Sequence, residues 1–348
     1  MKTFRAVSAL ALPLACAGST PSQTSSPGHR AELMKEAPRM EEHMVPSDTP
    51  GIQLYLRNKR LERASPERIL LFVHGSTYPA ETSFDLPLGG VSFMDFLAQH
   101  GWDVWLVDLR GYGRSTRPPE MDQPPSANPA LVTTDVAVRD VASAVDFILA
   151  QRKAPKLALM GWSWGTTMMA AYTVRNPSKV SKLVLYAPQW LRSTPPLISG
   201  DGAYRTVSMD SARERWLKGV PEEKKKELIP EGWFEQWAQA TFATDPVGSK
   251  HDPPVLRAPN GTLRDTKEYW SSGKPYYDPA QIKVPVLVVH AEWDQDLPNP
   301  MPREVFARLT SAPYRRLVEI GEGTHTVIME KNRDQLFNEV RLFLDELR

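Results

Sequence analysis

Leu157-Ala158-Leu159-Met160-Gly161-Trp162-Ser163-Trp164-Gly165 is an apolar run that ends in a G-x-S-x-G pentapeptide, and a stretch rich in Ala and Met follows it. The run predicts a buried strand and the stretch after it, residues 165 to 175, predicts a helix. A serine between them sits on a sharp strand-to-helix turn that pushes its hydroxyl out at the top of a sheet. Only small residues two places to either side allow so tight a turn, and Gly161 and Gly165 supply them. The amino terminus of the following helix offers positive dipole to an anion developing at the serine. Ser163 is therefore the expected nucleophile.

Working outward, other short apolar runs lie between polar breaks: 69–73, 104–107, 180–185 and 284–289, with an alternating run at 52–57. Such runs suit parallel strands buried on both faces. Helical stretches are expected between them, at 91–100, 134–151, 302–310 and 333–347. In the second of these, Val138, Val141, Val145 and Ile148 recur at spacings of three and four. Strand and helix in alternation predict an α/β fold with a doubly wound, mostly parallel sheet. Residues 189–280 break the rhythm. They are rich in Trp, Pro and charge, and they show helical patches near 210–218, 222–229 and 232–243 but no convincing buried strand. They are expected to form an inserted, mainly helical lid, since long insertions in compact domains are usually functional. The core is then 51–188 with 281–348.

The chain has 348 residues, a formal net charge of +1 and about two fifths hydrophobic residues, enough for a sizeable core. Both charge signs are interspersed, so no nucleic-acid partner is expected. Lys224, Lys225 and Lys226 stand among Glu222, Glu223 and Glu227 and read as a solvated helix face. The single cysteine, Cys16, rules out an intramolecular disulfide, and the seven histidines form no zinc-type pattern. Neither metal nor cofactor is expected. Lys2 and Arg5 precede an apolar run from Ala6 to Ala15 that is too short to span a bilayer, so residues 1–17 read as a signal peptide for export to a periplasm or the medium. Leu14-Ala15-Cys16 also resembles a lipoprotein box, with Pro13 where an aliphatic residue is usual. Lipidation of Cys16 would then anchor the protein to a membrane. Residues 18–50 are rich in Ser, Thr, Pro and Glu and are expected to be a flexible linker.

With His74-Gly75 after the 69–73 strand, Asp108-Leu-Arg-Gly-Tyr-Gly-Arg-Ser115 after the next, and the Ser163 elbow, the chain resembles the α/β-hydrolase superfamily, of the lidded type, over roughly residues 50 to 348. The resemblance implies a serine hydrolase whose partners follow in the order Ser, acid, His. Asp294, just past the strand at 285–290, is the preferred acid, with a proline four places on, and Asp296 and Glu292 are the alternatives. His325, in the Gly-rich loop after the 317–320 strand, is the expected base. Backbone donors for an oxyanion are expected from Trp164 and from Ser76, with Thr77 as the alternative to Ser76. His74 is expected to brace that loop. Gly111-x-Gly113 does not complete a dinucleotide motif, because Thr116 holds the last place.

The expected substrate is a small-molecule carboxylic ester or lactone. Trp162 and Trp190 are candidates for its aromatic walls, and ordinary core packing is the competing reading, for Trp162 above all. The Gly-Trp-Ser-Trp-Gly elbow is also similar to the Gly-Gly-Ser-Trp-Gly of proline iminopeptidases, so an aminopeptidase of that type is the alternative. Those enzymes carry HGGPG at the oxyanion loop, where this chain has HGST at 74–77. Haloalkane dehalogenases and epoxide hydrolases of this fold use aspartate where this chain has Ser163. A non-catalytic binding protein on the same fold is a remote third reading, because no triad member is missing.

Overall fold

The computed structural model describes residues 36–346 together with Met1, and the residues from Glu36 onward form one compact unit. The expected signal peptide and Cys16 lie outside the described residues. No described helix is long and apolar enough to cross a membrane.

In chain order the strands are β1 (Arg39–Pro46), β2 (Gln53–Arg60), β3 (Ile69–Val73), β4 (Asp103–Val107), β5 (Leu157–Trp162), β6 (Val180–Tyr186), β7 (Tyr204–Ser208), β8 (Val255–Pro259), β9 (Val286–Ala291) and β10 (Arg315–Ile320). Eight of them make the main sheet, in the order β1-β2-β4-β3-β5-β6-β9-β10, and β7 and β8 pair apart from it. Within the main sheet β1 and β2 pair antiparallel, as do β2 and β4, and every other pairing is parallel. This is the doubly wound, mostly parallel sheet expected from the apolar runs. β3, β4, β5 and β9 are buried along their whole length, as strands covered on both faces must be. The edge strand β10 is mostly half-exposed.

The long helices flank the sheet in two packed pairs. Helix Thr134–Arg152 packs on Trp164–Arg175, burying Val138, Val141, Val145 and Ile148 along one stripe. Helix Phe93–Gln99 packs on Arg333–Asp345, with the Phe93 and Phe337 rings stacked 4.1 Å apart. The first of this second pair starts on a capping box, in which Ser92 Oγ accepts from the Asp95 amide at 2.9 Å.

Two expectations are corrected. The linker expected through residue 50 ends earlier, because residues 39–46 form the edge strand β1, in register with β2 from Arg39↔Arg60 to Pro46↔Gln53. An edge strand needs charge and proline to discourage further pairing, and that composition resembles a tether. The inserted segment is mainly helical, as expected, but it does contain strands, where none convincing was expected. Between β6 and β9 it holds the helices Met209–Trp216, Lys225–Leu228, Trp233–Ala243 and Gly261–Asp265, but also the antiparallel pair β7 and β8. Each of these strands carries a buried arginine, Arg205 and Arg257, which hides the apolar pattern. The Trp216 and Trp237 rings pack tilted to one another at 4.6 Å in this segment, and Tyr78 of the core meets Trp237 edge-on at 4.7 Å. Lys224 and Lys225 form ion pairs with Glu322 and Glu222, as a solvated face would.

Candidate active site

The parallel strands all present their carboxyl ends to one side of the sheet, and in open α/β sheets that is where ligands bind. β5 lies between β3 and β6 and delivers Ser163 there. Ser163 has φ 58° and ψ −122°, a conformation sparsely populated by any residue with a Cβ and costing about 1–3 kcal/mol. Neighbouring contacts hold it. The Ser163 amide donates to the Tyr186 carbonyl at 2.9 Å, and the Thr166 amide and hydroxyl donate to the Ser163 carbonyl at 2.9 and 2.5 Å. A Cβ at Gly161 would fall on the Gly165 carbonyl, and one at Gly165 would lie 2.6 Å from the Val73 carbonyl oxygen. The two glycines therefore let β5, the elbow and the end of β3 close on one another.

Asp294 follows β9, and His325 follows β10 in the loop before the short turn Val327–Met329. Their loops are tied together, since the Trp293 amide donates to the Gly323 carbonyl and the Glu292 amide to that of Ile320, both at 2.9 Å. His325 Nδ1 lies 2.7 Å from Asp294 Oδ2, which leaves Nε2 free of that pair. The other Asp294 oxygen accepts from the Leu297 amide at 2.9 Å. Burial alone would lower the His325 pKa, but the Asp294 and Asp296 carboxylates outweigh it and raise the imidazole above its ordinary value. His325 and Ser163 line one pocket together with Gly75, Ser76 and Trp162.

The competing acids have other partners. Asp296 is bound by Arg215 across 2.8 Å, and Glu292 accepts from the Glu322 amide at 2.8 Å. Asp294, Asp296 and His325 come close enough to share a metal ion, with ligand atoms within 4.8 Å of one another. Arg215 already neutralises Asp296, so the set offers a cation little net attraction.

The loop after β3 runs directly against the elbow, where a Cβ at Gly75 would lie 3.1 Å from Ser163 Cβ. His74 braces it. Its Nδ1–H donates to the Gly75 carbonyl at 2.7 Å, and its Nε2 accepts from the Leu109 amide at 3.1 Å. Both bonds suit a neutral ring, and burial pushes its pKa down to about 4. The Ser76 carbonyl accepts from Tyr112 Oη at 2.9 Å and from Arg205 Nη2 at 2.7 Å, which fixes the peptide plane beside Ser163. Asp108 to Ser115 knits the neighbouring turn. Asp108 accepts from the amides of Ala80 (2.7 Å) and Arg114 (3.0 Å), and a Cβ at Gly113, where φ is 48°, would fall on its carboxylate.

Trp162 packs between Tyr186 and His325, and its Nε1 donates to the His325 carbonyl at 3.0 Å. It thus lines the pocket and holds the histidine loop at once. Trp164 is buried and donates from Nε1 to Thr134 Oγ1 at 2.8 Å. Trp190 is not brought to the site. It is buried edge-on to Tyr277 with Arg308 over its ring, outside the residues that line the cavities around Ser163, so the expectation of a substrate wall there is corrected to core packing. Three residues at the site had no local signal: Arg205, Arg215 and Glu330. Glu330 is fully buried beneath the histidine loop, where it accepts from the Thr324 amide and from the hydroxyls of Thr324 and Thr326.

The family model for the alpha/beta hydrolase fold matches residues 68–332. The chain belongs to this family. Membership supports hydrolase chemistry at the site. Among solved structures, the chain is similar to a thermophilic esterase from Thermogutta terrifontis (16% identity, 87% of this chain and 98% of that one, TM-score 0.57). It is similar to a 2-hydroxy-6-oxo-6-phenylhexa-2,4-dienoate hydrolase from Rhodococcus sp. strain RHA1 (16% identity, 89% and 100%, TM-score 0.59). It is also similar to an enol-lactonase from Burkholderia xenovorans LB400 (15% identity, 88% and 100%, TM-score 0.55). At such identities the likeness is one of fold. No curated protein matches the chain by sequence.

Proposed function

We propose that the protein is a serine hydrolase that cleaves a small carboxylic ester or lactone through an acyl-enzyme. The observation that carries this reading is His325, paired with the buried Asp294 and sharing one pocket with a serine held in a strained elbow. A serine hydroxyl is a poor nucleophile until a base takes its proton. In the proposed cycle His325 Nε2 accepts that proton as Ser163 Oγ attacks the ester carbonyl. Asp294 holds Nδ1–H and stabilises the imidazolium. The backbone amides of Ser76 and Trp164 hydrogen-bond the oxyanion. The carbon–oxygen bond to the leaving group breaks as His325 returns the proton to it. Water, deprotonated by His325, then attacks the acyl-enzyme and releases the acid and Ser163. The 189–280 segment acts as a lid in this reading, since it contributes Arg215 and Trp216 to the pocket wall.

The test is a panel of p-nitrophenyl esters, simple lactones and proline p-nitroanilide, run beside labelling with a fluorophosphonate probe. Wild type is expected to label and to turn over at least one ester, and Ser163→Ala to do neither. Release from the anilide without esterase activity would favour the aminopeptidase alternative. A wild type that fails to label would overturn Ser163 as nucleophile.

A further inference from the structure

Arg205 is 6% exposed, yet among the described residues no carboxylate lies within ion-pair distance of it. Arg57, Arg110 and Arg257 are buried like it, and each has an aspartate within 3 Å, at 2.8, 2.5 and 2.8 Å. The acceptors of Arg205 are all neutral: the carbonyls of Ser76 (2.7 Å) and Pro259 (2.9 Å), Thr77 Oγ1 (2.8 Å) and Asn260 Oδ1 (3.2 Å). Its Nε has no hydrogen-bond partner. Burial pushes its pKa down only to about 10, so it is a cation at neutral pH. A buried charge without a counter-charge is costly, and proteins usually pair it.

The place of this charge is specific. Arg205 lines a cavity of about 310 Å³, the size of a small-ligand site. Tyr78 and Arg215 form a wall common to this cavity and the pocket of Ser163 and His325. A narrow cleft of about 30 Å³, lined by Ser163, Arg192, Leu197 and Ile198, also runs between the two. The Arg192 guanidinium donates to the carbonyls of Thr194 and Pro195 and is likewise without a carboxylate in ion-pair distance among the described residues. The other charges facing the cavity cancel. Arg215 is held by Asp296, and Glu214 opposes Lys218 on the exposed rim. Two guanidinium charges are left over, Arg205 in the cavity and Arg192 in the cleft that Ser163 lines.

We infer that the substrate carries a carboxylate that seats against Arg205 in this cavity, so that the site selects anionic over neutral esters. This inference rests on the ester-hydrolase reading above and names its substrate class. Arg205 also touches both Ser76 and Thr77, so an anion bound there would meet the same side chain that holds the oxyanion loop.

The test compares matched pairs of esters on the full enzyme. Monomethyl glutarate against methyl pentanoate places the carboxylate on the acyl side. The butyrate ester of glycolate against isobutyl butyrate places it on the leaving side. In at least one pair kcat/KM for the anion is expected to exceed that of its neutral partner by about tenfold or more, the worth of a charged hydrogen bond, and to decline with added salt. Arg205→Gln should collapse the ratio towards one, and a general loss from a loosened oxyanion loop cancels in the ratio. Binding of pentanoate against pentanamide, measured by calorimetry on wild type, gives a second readout that needs neither turnover nor a folded variant, and pentanoate should bind at least about tenfold tighter. Ratios near one in both pairs, with pentanoate and pentanamide binding alike, would overturn the anion preference while fluorophosphonate labelling left the nucleophile intact. Loss of labelling with pentanoate still preferred would overturn the hydrolase reading alone.

Discussion

Replacing Glu330 by glutamine should remove a pH dependence from the stability of the fold. Glu330 lies under the loop that carries His325, fully buried. Burial outweighs its hydrogen bonds to Thr324 and Thr326, and the nearby Asp294 charge adds to the effect, so its pKa is pushed up from 4.5 to about 7. Between those two values the folded protein keeps a proton that the unfolded chain releases. The folded state then binds more protons than the unfolded one, so stability must fall as pH rises from about 4.5 to about 7 and stay lower above that. At about 1.4 kcal/mol for each pH unit, that gap amounts to about 3 kcal/mol. A glutamine side chain in its place would be neutral throughout. The amide oxygen can accept from the Thr324 backbone N–H, and the threonine hydroxyls can turn to accept from the NH₂ group. Groups elsewhere titrate in both proteins and cancel in the difference. Urea unfolding of wild type and Glu330→Gln at pH 5, 6, 7 and 8 measures it. The variant is expected to gain on wild type by about 2.5 kcal/mol between pH 5 and pH 8, part of the gap having been passed below pH 5. Two curves that stay parallel would show that Glu330 ionises as easily in the fold as in the unfolded chain, and would refute the reasoning.

Other outcomes follow from the same geometry. The acid limb of kcat/KM should have its midpoint above the ordinary histidine value of 6.5, with activity falling as pH drops, because the carboxylates raise the His325 pKa and only the neutral ring accepts a proton. Asp294→Asn should shift that midpoint down and cut kcat by about 10⁴-fold in a pH–rate series, whereas Asp296→Asn should leave the His325–Asp294 pair in place. Trp190→Ala should cost about 3–5 kcal/mol in denaturant unfolding and leave the order of preference among esters unchanged. A changed preference for acyl length in that variant would return Trp190 to the substrate wall.

What is legible in the sequence is whatever depends on neighbours in the chain. β3, β5 and β9 are buried on both faces, so their residues are continuously apolar and stand out. The elbow is legible because its steric demand falls on Gly161 and Gly165, two places either side of the serine. Asp294 and His325 stand out by their positions after strands. β1 escapes a sequence reading because an edge strand carries the polar residues that also make a linker. β7 and β8 escape it because Arg205 and Arg257 interrupt the alternation that marks a half-buried strand. Glu330 gives no sign at all, since its burial depends on the Thr324–Thr326 loop folding over it.

The two aspartates after β9 show where local reading stops and why. Asp294 and Asp296 are two residues apart in one polar loop; the strand end and Pro298 favour Asp294, but nothing in the loop shows what occupies Asp296. The distinction comes from Arg215, more than seventy residues earlier, on the helix Met209–Trp216 of the inserted segment. Arg215 binds Asp296, and its Nη1 donates to Thr77 Oγ1 at 3.2 Å, while Arg205 on β7 holds both Ser76 and Thr77. The inserted segment therefore reaches the loop after β9 and the loop after β3 through two guanidinium groups. A displacement of that segment that carried Arg205 and Arg215 with it would leave the Ser76 carbonyl to Tyr112 alone and strip Asp296 of its counter-charge. The seated segment thus supports both loops, so binding that stabilises the seated position also stabilises the geometry around Ser163 and His325.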